Sequence, residues 1–291
     1  MASVRRPAPQ RSSKGRSQAA GRGSTPAGAA VKRARNAGKV TRTPASARGA
    51  NRAPARAAGS GGKRSAGPDV QRRLEQLERH VTRLEDIHAV RTLHFKYGYY
   101  IDMCLYDEAC DLFAEDAEVL FLNGIYRGKA GARRLYCDWF RDLFTRGHNG
   151  PVHGFLLDHL QLQDIVDVSP DGRTAQGRFR ALLLAGQHES KKERIANNFP
   201  AQCWEGGIYE NRYVKQGAVW RIQRLNYNML WQADYEPGWA KSGVHLPALT
   251  KLYPQDPHGP DELLPSVPAT WPATRVVPFH YAHPVTGRMW K

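Results

Sequence analysis

Residues 84–117 read LEDIHAVRTLHFKYGYYIDMCLYDEACDLFAEDA, and this stretch decides the fold. Its apolar residues recur at helical spacing, and this spacing predicts a helix over residues 69–96 whose apolar face continues to an aromatic end. That face carries Ile87, Val90, Leu93, Tyr97, Tyr100 and Ile101. Upstream of it runs a heptad seam, Val70, Leu74, Leu77, Val81 and Leu84. We expect the seam to pack on its own domain or on a partner subunit.

Two further helices and a hairpin are predicted downstream. A short helix covers Tyr106–Ala114, and a longer one covers Lys129–Phe144 with one apolar face. Between them, Val119–Leu122 and Ile125–Arg127 flank Asn123-Gly124, a pair typical of tight hairpin turns.

The hydrophobic period then changes from helical to alternating, which indicates strands. We predict strands at Leu160–Val168, Thr174–Ala185, Cys203–Lys215 and Ala218–Trp231, with a polar loop at 186–202 that could act as a lid. Helices followed by long antiparallel strands indicate an α+β fold, in which the helices pack against one curved sheet.

The two ends of the chain differ from this middle part. Residues 1–68 hold 16 of the 43 Lys and Arg residues, no acid and no aromatic residue, so they account for the net charge of +16. We predict that they are a disordered basic tail, which would bind nucleic acid only non-specifically. Residues 236–291 contain ten of the 19 prolines and several aromatic residues, which predicts an ordered, extended arm.

Several classes of protein are excluded by the composition. The chain has no apolar run long enough for a membrane span and no secretory signal at its start, so we expect a cytoplasmic protein that does not bind membranes. Its four cysteines lack CxxC spacing, and no acid–histidine cluster suggests a metal site. Phosphate-binding loops of the GxxxxGK[ST] type are absent as well.

Three motifs resemble the SnoaL-like branch of the nuclear-transport-factor-2-like (NTF2-like) superfamily. The first is the helix that carries Tyr97 and Asp102, followed by the segment Asp111–Ala117. The second is the glycine-containing entry to the third helix, Tyr126-Arg-Gly128, and the third is the closing hairpin 207–222. The resemblance covers residues 84–232 and places a domain at residues 69–235.

This resemblance implies a cone-shaped α+β barrel that encloses an apolar pocket. Scytalone dehydratase and ketosteroid isomerase belong to the same superfamily, and such relatives abstract protons without a cofactor. The proline-rich arm also resembles that of lyases which deformylate lignin-derived diarylpropanes. We therefore expect a cofactor-independent lyase for a hydrophobic aromatic molecule, assembled as a homodimer or homotrimer. The alternatives are an isomerase with the same residues, or a non-catalytic module for binding or assembly.

The resemblance also implies a catalytic dyad. Asp102 would orient and charge a histidine that acts as general base. His159 lies where the family keeps its histidine, and His153 is a second candidate in a glycine-bounded loop.

Tyrosines could polarise a substrate oxygen or stabilise an oxyanion near this dyad. Tyr97 and Tyr100 are the candidates on the first helix, and Tyr209 and Tyr213 are those on the third predicted strand. The remaining predicted pocket walls are aromatic residues, Phe155, Trp204, Tyr227 and Trp231.

Overall fold

The computed structural model of the protein describes residues 67–191, 195 and 199–290. Residues 1–66 of the predicted basic tail therefore lie outside the described residues. The described helices are α1 (Pro68–Asp102), α2 (Tyr106–Cys110), α3 (Gly128–Arg133) and α4 (Arg141–Thr145), with a π-helical segment, Arg134–Phe140, between α3 and α4. None of these helices combines the length and the apolar character needed to span a bilayer.

Seven strands form one sheet. They are β1 (Phe113–Phe121), β2 (Gly124–Arg127), β3 (Phe155–Val168), β4 (Thr174–Gln187), β5 (Gln202–Gln216), β6 (Val219–Asp234) and β7 (Glu262–Leu263). Their order is β3-β4-β5-β6-β1-β2-β7, and every neighbouring pair is antiparallel except β1 and β6. The ladders between β3 and β4, β5 and β6, and β1 and β6 contain register shifts, which bend and twist a sheet. The predicted α+β class with one curved, mainly antiparallel sheet is confirmed.

The second half of α1 packs against the sheet. Val90, Tyr97 and Ile101 are buried in an aromatic core together with Phe113 of β1 and Phe179 of β4. Burial of these large side chains contributes most of the stability of such a domain, at about 25 cal/mol for each Å² of apolar surface removed from water. The helix ends at Asp102, and Cys104 then adopts a positive φ of 51° as the chain turns into α2.

A buried carboxylate marks the point where α1 reaches the domain. Asp86 Oδ1 accepts hydrogen bonds from Lys215 Nζ at 2.7 Å and from the indole Nε1 of Trp220 at 2.8 Å. Upstream of this anchor, the heptad seam from Val70 to Leu84 stays exposed. Packing of the seam on its own domain, one of the two sequence-based expectations, is therefore absent from the described chain.

Several predicted element bounds differ from the structure. The first helix continues to Asp102 rather than to residue 96, and β1 begins at Phe113 rather than at Val119. Two further differences concern the second helix and the first long strand. The second helix ends at Cys110 rather than Ala114, because Phe113 already pairs with Ile222 of β6 and is fully buried. The first long strand begins at Phe155 rather than Leu160. In both cases a long-range ladder overrides the local sequence pattern.

Residues 235–290 follow β6 as a segment with little regular secondary structure. Its short strand β7 pairs with β2. Arg134 donates from Nε to the carbonyl of Gly259 at 2.8 Å, and Arg178 donates from Nη2 to the carbonyl of Val277 at 2.8 Å. The backbone N–H of Trp271 donates to the carbonyl of Leu230 at 2.8 Å. These contacts join residues 235–290 to the sheet and to the π-helical segment at several separate points.

Candidate active site

The end of α1 meets β3 at an aspartate–histidine contact. Asp102 Oδ1 accepts the backbone N–H of His159 at 2.7 Å and lies 3.1 Å from Nδ1 of the same residue. The two side chains are only 10% and 11% exposed. If Nδ1 carries the proton and donates it to the carboxylate, Nε2 is left with a free lone pair. The arrangement can therefore hold one imidazole as a base in a fixed orientation.

His159 faces an apolar cavity between the sheet and the helices. The cavity has a volume of about 80 Å³, and Leu157 and Leu183 form part of its wall near His159. Leu157 and His159 lie on the same face of β3 because side chains alternate along a strand. The cavity is thus a small apolar space with one imidazole on its wall.

Tyrosines supply the polar groups on the helical side of this cavity. The hydroxyl of Tyr97 lies 2.8 Å from that of Tyr136, which belongs to the π-helical segment. Tyr209 of β5 lines the cavity as well and interacts with Tyr97. Burial raises the pKa of all three hydroxyls well above the usual tyrosine value. They remain protonated near neutral pH and can donate hydrogen bonds to a substrate oxygen.

Glu205 is a buried acid on the opposite wall that the sequence analysis did not identify. Its Oε1 accepts a hydrogen bond from Tyr227 at 2.6 Å, and its Oε2 accepts one from Gln232 Nε2 at 2.9 Å. Burial raises the pKa of the Glu205 carboxyl, while these two hydrogen bonds and the field of His159 partly offset the shift. The sequence did contain a signal for Glu205. It lies two residues after Cys203 on an alternating strand, and this spacing places both side chains on the inner face.

His94 is the second residue that the sequence analysis missed. Its Nε2 lies 2.9 Å from Oε1 of Gln161, and its Nδ1 lies 3.3 Å from both the Tyr213 hydroxyl and Nδ2 of Asn211. The ring is fully buried and stacks on Phe179 with 3.7 Å between the centroids. Burial lowers the pKa of His94 to about 3, so this imidazole stays neutral and supports the core beside the cavity.

The predicted site residues fall into two groups. Asp102 contacts His159 at the cavity, while His159, Tyr97, Tyr209 and Tyr227 line it. His153 is outside the cavity, where its Nε2 lies 2.9 Å from the hydroxyl of Ser190. Tyr100 packs at the edge of the core, and Tyr213 binds His94 behind the cavity wall.

The other predicted aromatic walls lie away from the cavity. Trp204 stacks on Tyr235 with 5.6 Å between the ring centroids, and Trp231 packs 5.9 Å from Trp239. Phe155 forms a second layer behind Phe144, which itself lines the cavity. An extra residue in β6 opposite Gly206 and Gly207 explains why Trp231 does not face the cavity. This bulge shifts the alternation of side chains by one residue, so Trp231 lies on the other face of the sheet.

The predicted lid at residues 186–202 is described only in part, since 192–194 and 196–198 lie outside the described residues. Phe199 from this segment lines the cavity. Across the described ranges, no three His, Cys, Asp or Glu side chains are grouped closely enough to hold a metal ion.

A second, larger cavity of about 390 Å³ adjoins the first, and we call it the outer chamber. The two cavities share Leu120, Phe121, Glu205, Tyr227 and Leu246 as walls. One layer of side chains therefore separates the imidazole-bearing space from the outer chamber.

Comparison with known proteins places this site in a family context. Residues 82–226 match the family model described as a SnoaL-like domain. A putative scytalone dehydratase from Novosphingobium aromaticivorans is 24% identical, with a TM-score of 0.41 over 54% of this chain and 91% of that chain. The type 3 hexachlorocyclohexane dehydrochlorinase LinA from Novosphingobium barchaimii is 17% identical, with a TM-score of 0.41 over 59% of this chain and 99% of that chain.

A third similar structure is an NTF2-like protein with a cystatin-like fold, also from Novosphingobium aromaticivorans. It is 19% identical, with a TM-score of 0.36 over 57% of this chain and 92% of that chain. A search of curated proteins finds no significant match.

Proposed function

Residues 82–226 of this chain are a SnoaL-like domain, and from this premise we propose that the protein is a cofactor-independent lyase for a hydrophobic aromatic small molecule. The observation that carries the proposal is the contact between Asp102 and His159 at the wall of an apolar cavity. A domain that only bound ligands or partners would not need a carboxylate directed at an imidazole on the wall of a mainly apolar cavity.

His159 is the general base in this proposal. Asp102 accepts a hydrogen bond from Nδ1–H of His159, which leaves Nε2 to take a proton from the substrate. When the imidazole gains that proton, the carboxylate stabilises the positive charge at a distance of 3.1 Å. The apolar cavity strengthens this interaction, because few water molecules can compete with it.

The tyrosines act on the oxygen of the substrate. Tyr97 and Tyr209 are protonated donors on the cavity wall, and a buried donor stabilises the developing charge of an oxyanion or a leaving hydroxyl. Glu205 and Tyr227 form a second hydrogen-bonded pair across the cavity. Hydrogen-bonding groups on both walls fit a substrate that reacts at one hydroxyl while it loses another.

A 1,2-diarylpropane-1,3-diol is the substrate that we propose to test first. His159 takes the proton of the terminal hydroxyl, and its electron pair forms the carbonyl of formaldehyde as the terminal carbon–carbon bond breaks. The pair from that bond forms the double bond of a stilbene, and the other hydroxyl leaves as water with a proton donated by Tyr97 or Tyr209. The proton that His159 took up then restores that tyrosine, so no net proton is gained or lost. The products are stilbene, formaldehyde and water, so the reaction needs no external oxidant or reductant.

The test uses the purified full chain with the diol and with no added metal or cofactor. We expect stilbene absorbance and formaldehyde to appear together in a one-to-one ratio. Stilbene without formaldehyde would contradict deformylation, and the absence of turnover would reject this substrate class. The same protein would then be tested on dehydration and isomerisation substrates.

A further inference from the structure

The outer chamber is built largely by residues outside the SnoaL-like match. Its walls include Val244, Val267 and Thr270 from the segment after β6, which face Asn228 and Met229 on the sheet. The inner cavity of about 80 Å³ is smaller than a buried protein cavity of roughly 150 Å³ that binds benzene. If the reacting part of a diaryl substrate binds at His159, the rest of the substrate lies toward the outer chamber, and the side chains shared by the two cavities have to move to admit it.

Arg275 is the charged group that this chamber contains besides Glu205. Its Nε donates to the carbonyl of Ala269 at 3.0 Å, and its Nη1 donates to Oδ1 of Asn228 at 3.1 Å. Among the described residues, no carboxylate lies within ion-pair distance of this guanidinium. Burial lowers its pKa, and no neighbouring acid offsets that shift.

An arginine held in this way is oriented for binding an anion. The two hydrogen bonds to protein acceptors orient its planar guanidinium, and the remaining N–H groups stay available for a carboxylate, which arginine binds in bidentate geometry. A partly buried cation gains most from a ligand that neutralises it, because its own desolvation has already taken place.

We propose that the outer chamber binds a carboxylate carried by the aromatic substrate, and that Arg275 is the residue that binds it. The proposal rests on the proposed function only in placing the reacting half of the substrate at His159. It implies that the segment after β6 determines substrate specificity, whereas the SnoaL-like domain supplies the base.

The experiment measures binding, so its result does not depend on turnover. Calorimetric titrations of the full chain use trans-stilbene-4-carboxylate, uncharged trans-stilbene and 4-hydroxystilbene. We expect the carboxylate probe to bind about 10–100-fold more tightly than trans-stilbene, as a charged hydrogen bond in a partly buried site provides. Arg275→Met should remove this advantage, Arg275→Lys should keep part of it, and the exposed control Arg212→Met should keep all of it.

Three outcomes would overturn the proposal. Equal affinities of wild type for the charged and uncharged probes would show that the chamber does not select an anion. If Arg275→Met weakened the binding of 4-hydroxystilbene as much as that of the carboxylate probe, the chamber would recognise a neutral phenol rather than an anion. Loss of trans-stilbene binding in Arg275→Met would show that this residue holds the segment in place. Failure of the diol assay with success of these titrations would reject the diol as substrate and leave the anion site supported.

A separate observation concerns the heptad seam at the start of α1. Its members are between 48% and 59% exposed, although they are all apolar: Val70, Leu74, Leu77, Val81 and Leu84. Leu74 and Val81 occupy a positions of the heptad, and the others occupy d positions. This assignment places Arg73 and His80 at g positions, with Glu78 and Glu85 at e positions.

The charges at these flanking positions favour one arrangement. In a parallel coiled coil, each g residue lies beside the e residue five positions later in the other copy, so Arg73 would meet Glu78 and His80 would meet Glu85. An antiparallel pair would bring Glu78 and Glu85 together. We propose that a second copy of this chain covers the seam, in parallel orientation.

Sedimentation of the full chain tests this assembly. We expect wild type to be oligomeric, Leu77→Glu to be monomeric, and Gln76→Glu, on the opposite face of α1, to behave as wild type. Arg73→Glu and Glu78→Arg should each weaken association, and the double variant should restore it. A monomeric wild type, or an oligomer that survives Leu77→Glu, would overturn the proposal, and tighter association of Arg73→Glu would overturn the orientation.

Discussion

Replacing His159 with alanine is expected to lower kcat for the diol about 10²–10⁴-fold, the range that a general base typically contributes. The reason is that Nε2 of this residue is the base on the cavity wall that Asp102 orients. KM should change little, because the apolar walls that bind the substrate remain. The measurement is steady-state formation of stilbene and formaldehyde at neutral pH.

Two further variants make this prediction specific. Asp102→Asn keeps an oxygen for the backbone N–H of His159 but removes the negative charge, so kcat should fall by less than in His159→Ala. His153→Ala should retain activity close to that of wild type, because His153 is bound to Ser190 outside the cavity. Full activity in His159→Ala together with its loss in His153→Ala would transfer the role of the base to His153.

The second large effect concerns stability at acid pH. His94 is fully buried with a pKa of about 3, whereas its ordinary value is 6.5. Between these values the unfolded chain binds a proton at this residue and the folded chain does not. The free energy of unfolding therefore falls as the pH falls through this window, while the contribution is complete above pH 6.5. At pH 5 the expected loss from His94 alone is about 2 kcal/mol.

The test compares urea unfolding of wild type and His94→Gln at pH 7.5 and pH 5. Glutamine remains uncharged and can still bond to Gln161, so the variant should lose about 2 kcal/mol less than wild type on acidification. Contributions from carboxylates and from the other histidines cancel in this comparison. Equal losses in both proteins would contradict a neutral, buried His94.

How far the sequence could predict the site is illustrated by two residues of β5. Glu205 shares the inner face with Cys203, while Trp204 between them faces outward against Tyr235. Aromatic character alone suggested that Trp204 was a pocket wall. The segment after β6 covers the outer face and makes it apolar too, so hydrophobicity cannot distinguish the two faces of this sheet.

The sequence by itself determined the features that depend on neighbouring residues. Helical and alternating periods established α1 and the four long strands. The hairpin between β1 and β2 was predicted too, but its turn is Leu122-Asn123, one residue before the predicted Asn123-Gly124, because Gly124 already pairs with Phe121. The helix predicted at residues 69–96 is present, although α1 continues to Asp102, the acid that the resemblance selected. Such signals are local, because side-chain periodicity and turn chemistry act over a few residues.

Only the tertiary structure decided which histidine contacts Asp102 and which residues line the opposite wall of the cavity. His153 and His159 are six residues apart, and the β3–β4 ladder starts at Phe155 and directs His159 inward beside the end of α1. The bulge in β6 and the covering segment that brings Arg275 to the outer chamber are likewise long-range features. They depend on pairing between strands and segments distant in the chain, which no local pattern encodes.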